Sequence, residues 1–285
     1  MKKKILIIIA VCVLLVTLIC IPKSTYQKLF SKNVDETPLN NNKEFIKMYV
    51  VNESNDIVGV NVYLESIEED VIRQKWNILT SNINLLPSGY SSPIAPSTVL
   101  NNYVIEENKL IFDVSEEIKH SAGRLTIESI AWNFCNDQID EVVLKVNNEI
   151  LSNINDCDFL KISKSIGVNY EFETSYLYES ENITIVYYID EIIYPVTYFY
   201  KGKDNCDYMI EKIFDMHNIE MSSYEYEISK EGLNIVFNEN VILDNKVKDT
   251  IIETVRMNFD VEMVTVSNIN DTIIEQTFVE MNDLE

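Results

Sequence analysis

Residues 45–64 read FIKMYVVNESNDIVGVNVYL. Two runs of β-branched and aromatic residues, Phe45–Val51 and Ile57–Leu64, flank the polar cluster Asn52-Glu53-Ser54-Asn55-Asp56, which predicts an antiparallel hairpin. Beyond it, Ser66 with Glu69 three residues later has the form of a capping box. Ile67, Val71, Ile72, Trp76, Leu79 and Ile83 then recur at helical spacing. A stiff loop with Pro87, Gly89, Pro93 and Pro96 follows. Two more strands are expected, Val99–Ile105 and Leu110–Val114, around the turn Glu106–Lys109. Gly123, Ile127, Ile130, Ala131 and Phe134 mark one face of a second helix. Val142–Val146 closes the series before Asn147-Asn148, a turn dipeptide that tolerates positive φ.

The same order returns after residue 180. Ile183–Ile189 and Ile192–Tyr200 read as strands about Asp190-Glu191. Asp204 is placed to cap a helix carrying Met209, Ile210, Ile213 and Phe214. Tyr226–Ile228 and Leu233–Phe237 flank Ser229–Gly232, Asp244 caps a last helix with Val247, Ile251 and Val255, and Val261–Val266 is the closing strand. Two details favour duplication. Tyr103, Ile105 and Leu110 share the spacing of Tyr226, Ile228 and Leu233, and Asn133-Phe134 and Asn258-Phe259 each end the second helix of their half. The expected fold is therefore α+β: two tandem two-layer domains, residues 44–151 and 181–285, each β-β-α-β-β-α-β. Right-handed crossovers put both helices of a domain on one face of a mixed sheet. Residues 152–180 are the linker, with Phe159, Ile162 and the stretch Tyr170–Tyr178 apolar enough to pack between the units.

Several of these segments resemble the GerMN domain of sporulation and germination proteins. The likeness is carried by Val60-Asn61-Val62-Tyr63-Leu64, by the loop Leu86-Pro87-Ser88-Gly89-Tyr90 through Ile94-Ala95-Pro96-Ser97-Thr98, by Lys109-Leu110-Ile111-Phe112-Asp113-Val114-Ser115, and by the Val142–Val146 strand. In the second half it rests on Ile185-Val186-Tyr187-Tyr188, Pro195-Val196-Thr197 and the final helix and strand. The resemblance implies a fold similar to ring-building modules of envelope assemblies, and a non-enzymatic role among envelope or sporulation-complex proteins.

The amino end fixes an expected compartment. Lys2, Lys3 and Lys4 precede an apolar run from Ile5 to Ile21, about 25 Å long as a helix and near the lower limit for crossing a bilayer. This makes residues 1–4 a cytoplasmic end, 5–22 a signal-anchor and 23–43 a tether, with the body outside the cell membrane. No Ala lies between Ala10 and Ala95, which disfavours a cleavage site, and Thr17-Leu18-Ile19 before Cys20 is a poor lipidation signal. A cleaved signal and a lipoprotein are the competing readings.

The 285 residues hold 23 basic and 46 acidic side chains, a formal charge of −23, and every acid lies at or beyond Asp35. A body so acidic lacks the basic face of a nucleic-acid binder. Six glycines that never cluster argue against a phosphate-cradling loop, and two histidines against a zinc enzyme. Cys135, Cys157 and Cys206 form an odd set, read as free thiols with a Cys135–Cys157 bridge as the alternative.

Residues that suggest chemistry each have a plainer reading. His120, beside Glu116-Glu117 and Ser121, imitates a Ser/His/acid set but reads as helix-entry polarity. His217 reads as a cap on a negative helix end. Asn153-Ile154-Asn155-Asp156-Cys157-Asp158 has alternating oxygens but lacks the Gly and distal Glu of a calcium loop. Glu68-Glu69 and Asp140-Glu141 are acid pairs of the kind expected among 46 acids. No catalytic residue, cofactor or metal is expected. The residues chosen for an interaction loop are Tyr90 and Ile94, the alternative being that both fold back onto the sheet. A second function class is a module binding a small ligand or wall glycan between the copies, suggested by Tyr170, Phe172, Tyr176 and Tyr178.

Overall fold

A computed structural model describes residues 44–278 except 176, 221, 222, 269 and 270. The expected signal-anchor, residues 5–22, lies outside the described residues. Among those described, no helix is long and apolar enough to cross a membrane.

The opening hairpin forms in the expected place, β1 (Glu44–Val51) against β2 (Ile57–Leu64), antiparallel throughout. Helix α1 (Val71–Thr80) starts later than the pattern suggested. Its cap is Asp70, whose carboxylate accepts the Arg73 N–H at 2.9 Å, so the Ser66/Glu69 capping box does not form. Strands β3 (Leu100–Glu106), β4 (Lys109–Val114) and β5 (Glu141–Val146), with helix α2 (Arg124–Phe134) crossing between the last two, complete the first series. Short strands β6 (Glu149–Ile150), β7 (Asn153–Ile154), β8 (Cys157–Asp158) and β9 (Glu171–Phe172) lead to the second half. There the hairpin β10 (Glu181–Ile189) and β11 (Ile192–Tyr200) precedes α3 (Asn205–Met216), β12 (Tyr224–Ile228), β13 (Leu233–Phe237), α4 (Asn245–Asn258), β14 (Met263–Asn268) and β15 (Thr272–Thr277). Asp204 and Asp244 cap α3 and α4 as expected, accepting from Asp207 and Val247.

The α+β order and its duplication hold, but a half does not build one mixed sheet. The later strands of each half form sheets of their own, β3-β4-β5-β6 and β12-β13-β14-β15, with parallel pairing of β4 to β5 and of β13 to β14. The two hairpins leave their halves and join each other in the order β1-β2-β11-β10. The reason is burial: β2 is covered along nearly its whole length, with only Tyr63 exposed, and a strand so enclosed needs a neighbour on each side.

The junction is narrow. Tyr49, Gly59, Ile193 and Tyr188 stand in register across all four strands, and Gly59–Ile193 is the one pair that links β2 to β11. A side chain at 59 would put its Cβ 2.9 Å from the Tyr49 ring and 3.1 Å from Ile193 Cβ, which is why glycine stands there. On one side of that pair the strands part, and residues 167–172 enter the gap. Thr197 N–H donates to the Val168 carbonyl at 2.8 Å, and β9 continues parallel to β11. Asn169 fills the remaining space. Its Oδ1 accepts the Ile57 N–H, and its Nδ2 donates to the Ile57 and Pro195 carbonyls, all at 2.7–2.8 Å. The expected linker is thus partly a structural wedge, which also gives Ile154, Ile162 and Val168 to the first core. Phe172 and Tyr178 are exposed, and Tyr176 lies outside the described residues.

Two cores result. In the first, Phe112 packs at 5.0 Å from both Trp76 and Phe134. In the second, Phe214 stacks on Phe237 at 5.3 Å. Replacing Asn169 with Ala would strand three buried backbone groups at the junction. We expect a loss of about 3 kcal/mol in urea unfolding, larger than any single surface change; a loss under about 0.5 kcal/mol would show that the wedge holds without the amide.

Candidate functional site

The two outer strands of the shared sheet would be open edges, and helix side chains cover them. Asn133, in the last turn of α2, accepts the Tyr49 N–H through Oδ1 at 2.9 Å and donates to the Tyr49 carbonyl through Nδ2 at 2.7 Å. Asn258, in the last turn of α4, does the same to Thr184, at 2.9 and 2.7 Å. Each amide therefore imitates one more residue of strand. Ser129 adds a bond to the Tyr49 carbonyl, and Thr254 and Thr250 accept from the Val186 and Tyr188 amides.

This arrangement leaves a cleft of about 660 Å³ between the halves, lined by side chains of α2 and α4, by Tyr49 and Tyr188 of the outer strands, and by residues 161–165. Trp132 packs on Tyr49 at 5.1 Å, and the Lys164 ammonium lies 5.2 Å from the centre of the Trp132 ring. Arg256 is paired with Glu253 at 3.4 Å. Burial lowers the Lys164 ammonium below the ordinary lysine range. Nearby, Lys75 donates to the Asn133 carbonyl at 2.8 Å; burial, with the charge of Lys164, pulls it down to about 8.

A second unusual group lies beside the junction. Glu128 is fully buried, and neither carboxylate oxygen has a hydrogen-bond partner among the described residues. Burial raises it to about 7, against the opposing pull of Arg124, whose Nε is 3.4 Å away but poorly aligned.

The residues singled out in the sequence take structural places. Ile94 is 2 % exposed in the first core, and Tyr90 is half-buried against it. The loop is pinned by a Val51–Ser91 bridge, by the Thr126 hydroxyl and Ala122 N–H on the Pro93 carbonyl, and by the Ser121 hydroxyl, which accepts the Ala95 N–H. Ile94 is therefore a core residue in this conformation, and Ser121 serves the loop rather than His120. His217 is the C-cap residue of α3, its backbone N–H donating to the Ile213 carbonyl at 3.1 Å, while burial lowers its ring and Nε2 has no partner among the described residues. Residues 153–158 form a hairpin turn with Asn155 and Asp156 at positive φ. Asp140 accepts from Asn108, and Glu141 pairs with Lys109. The three described cysteines are free thiols. Of the aromatic linker residues, the described Tyr170, Phe172 and Tyr178 do not line the cleft: Phe172 stacks on Phe199 at 5.0 Å, with Tyr170 edge-on. The cleft residues could not be found from the sequence alone, since they come from six separate segments; the one available signal was the repeated Asn133/Asn258 position.

The fold is similar to a tandem arrangement of GerMN domains. Residues 47–152 match the family described as Germane, sporulation and spore germination. The chain is similar to the tandem GerMN domains of the sporulation protein GerM from Bacillus subtilis, at 18% identity and a TM-score of 0.66, covering 80% of this chain and 92% of that one. The first GerMN domain of that protein aligns with 43% of this chain and 98% of its own length, at 20% identity and a TM-score of 0.39. No curated protein matches. The GerMN resemblance read from the sequence is thereby supported, most directly for the first half.

Two outcomes are expected. Ile94→Ala should cost about 2–4 kcal/mol of stability, as a core truncation does; a loss below about 1 kcal/mol in chemical unfolding would return Ile94 to the surface. Glu128 ionises in the unfolded chain near 4.5 and in the folded protein near 7, so stability falls as pH rises between those values and is level above them. Glu128→Gln should remove that slope and raise the melting temperature at pH 8 relative to the parent. An unchanged slope between pH 5 and 8 would count against the buried acid as its source.

Proposed function

We propose that this chain is a membrane-anchored, extracytoplasmic protein that works without catalysis, by protein–protein contact, in a sporulation-related envelope assembly. The observation that carries this reading is the tandem GerMN-type fold together with the family match over residues 47–152. The basic end and apolar run of residues 2–21 support the anchor, with the amino terminus cytoplasmic and the body outside. A formal charge of −23 supports a body that stays clear of anionic lipid heads. The non-catalytic part of the reading is supported by where the reactive side chains lie: Ser121 binds a loop amide, and the described thiols are free, with burial raising Cys135 to about 11 and Cys206 to about 12.

Protease treatment of intact cells carrying a tag at each end tests the topology. Loss of the carboxy-terminal tag with survival of the amino-terminal one is expected, and protection of both would overturn the anchor reading. Deletion in a sporulating host should lower heat-resistant spore yield at least about tenfold while leaving vegetative growth unchanged; unaltered yield would remove the sporulation role.

A further inference from the structure

We propose that the cleft between the halves binds a carboxylate carried on a small polar molecule, held by the Lys164 ammonium and the Trp132 indole N–H. The inference stands apart from the sporulation reading and survives or fails without it. Three observations converge. First, Lys164 lines the cleft with an aromatic ring as its close neighbour, and no carboxylate lies within ion-pair distance of it among the described residues, whereas Arg256 on the facing wall is occupied by Glu253. Glu253 and Asp137 act on Lys164 only from beyond ion-pair distance. Second, Trp132 also lines the cleft, is 4 % exposed, and its Nε1 is buried without a hydrogen-bond partner among the described residues. A buried donor without an acceptor costs about 1–3 kcal/mol; Nε1 is closed to solvent in this conformation, so the ring must turn to meet an incoming oxygen and recover that cost. Third, the volume of about 660 Å³ falls within the range of small-ligand sites, and Asn136, Ser163 and Asn182 give its wall amides and hydroxyls suited to a polar body.

The charge of the ligand follows from the same wall. Two lysines without an ion pair among the described residues, Lys161 and Lys164, line the cleft, and Lys164 is the one beside the ring. With Arg256, these lysines face Asp137, Asp140 and Glu253, so the walls are formally neutral, and a singly charged carboxylate disturbs that balance less than a phosphate dianion. Binding would also ease the strain between Lys164 and Lys75, because burial and their mutual repulsion already depress the Lys75 ammonium. The carboxylate could be borne by an acidic sugar or by a peptide C-terminus.

The chain has two tryptophans, so the full protein in detergent, labelled with ¹⁵N-tryptophan, gives one signal per indole. Trp76 donates to the Thr98 carbonyl inside the first core and serves as the internal reference. Glucuronate and N-acetylglycylglycine are titrated in parallel with their uncharged amides and with inorganic phosphate. We expect the Trp132 signal to move saturably with one or both acids, with Kd of about 1 mM or tighter, while Trp76 stays still. The amides should bind at least about tenfold more weakly, and so should the acids to Lys164→Met. A response to glucuronate alone assigns an acidic sugar, and a response to the peptide alone assigns a chain terminus. No saturable movement with either acid, equal binding of acid and amide, or tighter binding of phosphate would overturn the proposal. The acid–amide comparison needs only the parent protein and decides the matter even where the variant fails to fold.

Discussion

The arrangement turns on a single backbone junction, the pairing of Gly59 with Ile193 and the wedge that closes the gap beside it. Two hairpins from different halves become one sheet there, so neither β2 nor β11 is left as an open edge. The junction is too short to hold by strand pairing alone. Asn169 makes it continuous by satisfying groups on both strands at once, and its φ of 47° is one that asparagine tolerates better than most residues. Gly167 just before it, at φ 84°, lies so close to Thr197 that a Cβ would come within 2.8 Å of the hydroxyl. Conformation and polarity of this short stretch are thus fixed together.

Once the hairpins share a sheet, the remaining exposed edges are β1 and β10, and the way they are covered creates the cleft. Asn133 and Asn258 fasten the last turns of α2 and α4 to the outer strands. The two helices are consequently tied to opposite edges of the sheet, α2 to β1 and α4 to β10. The cover is unequal. On β10 two threonine hydroxyls extend it over Val186 and Tyr188, while on β1 the series passes from Asn133 and Ser129 to the loop at Ser91. Several residues of these covered edges, among them Tyr49, Thr184, Val186, Tyr188 and Asn258, also line the cleft.

Much of this was legible where structure is local. The hairpin at 45–64, the caps at Asp204 and Asp244 and the Asn147-Asn148 turn follow from residue type and spacing, and each appears. Both repeated signatures have physical causes. Tyr103 and Tyr226 each donate a hydroxyl to the capping Asp of the preceding helix, Asp70 and Asp204, while Asn133 and Asn258 clamp the edges. Local pattern misled at Ser66, because Asp70 offers the helix a charged acceptor that also receives Tyr103 and Arg73. It misled again at Ile94, an apolar residue in a polar loop whose anchors lie far along the chain at Ser121 and Thr126. The joined hairpins and the wedge depend on contacts more than 100 residues apart, such as Ile57 with Asn169. No periodicity encodes such a pairing.

The distribution of charge follows from this geometry. An acidic surface keeps the body soluble, yet lysines are drawn inward where helix ends and rings can receive them. Lys75 reaches from α1 to the carbonyl of Asn133 at the negative end of α2, a position that favours a cation. Lys47 lies over the Tyr188 ring on the sheet and is steadied by Glu253 and Asp249 of α4. Arg256 has Glu253 beside it. Lys75 and Lys47 each join one element to another, and Arg256 pairs within α4. Lys164 also has Glu253 and Asp137 acting on it, and differs in that the ring beside it has an unmatched N–H. Two adjacent donors without an acceptor add little to folding, and their cost is carried by the well-buried sheet beneath them.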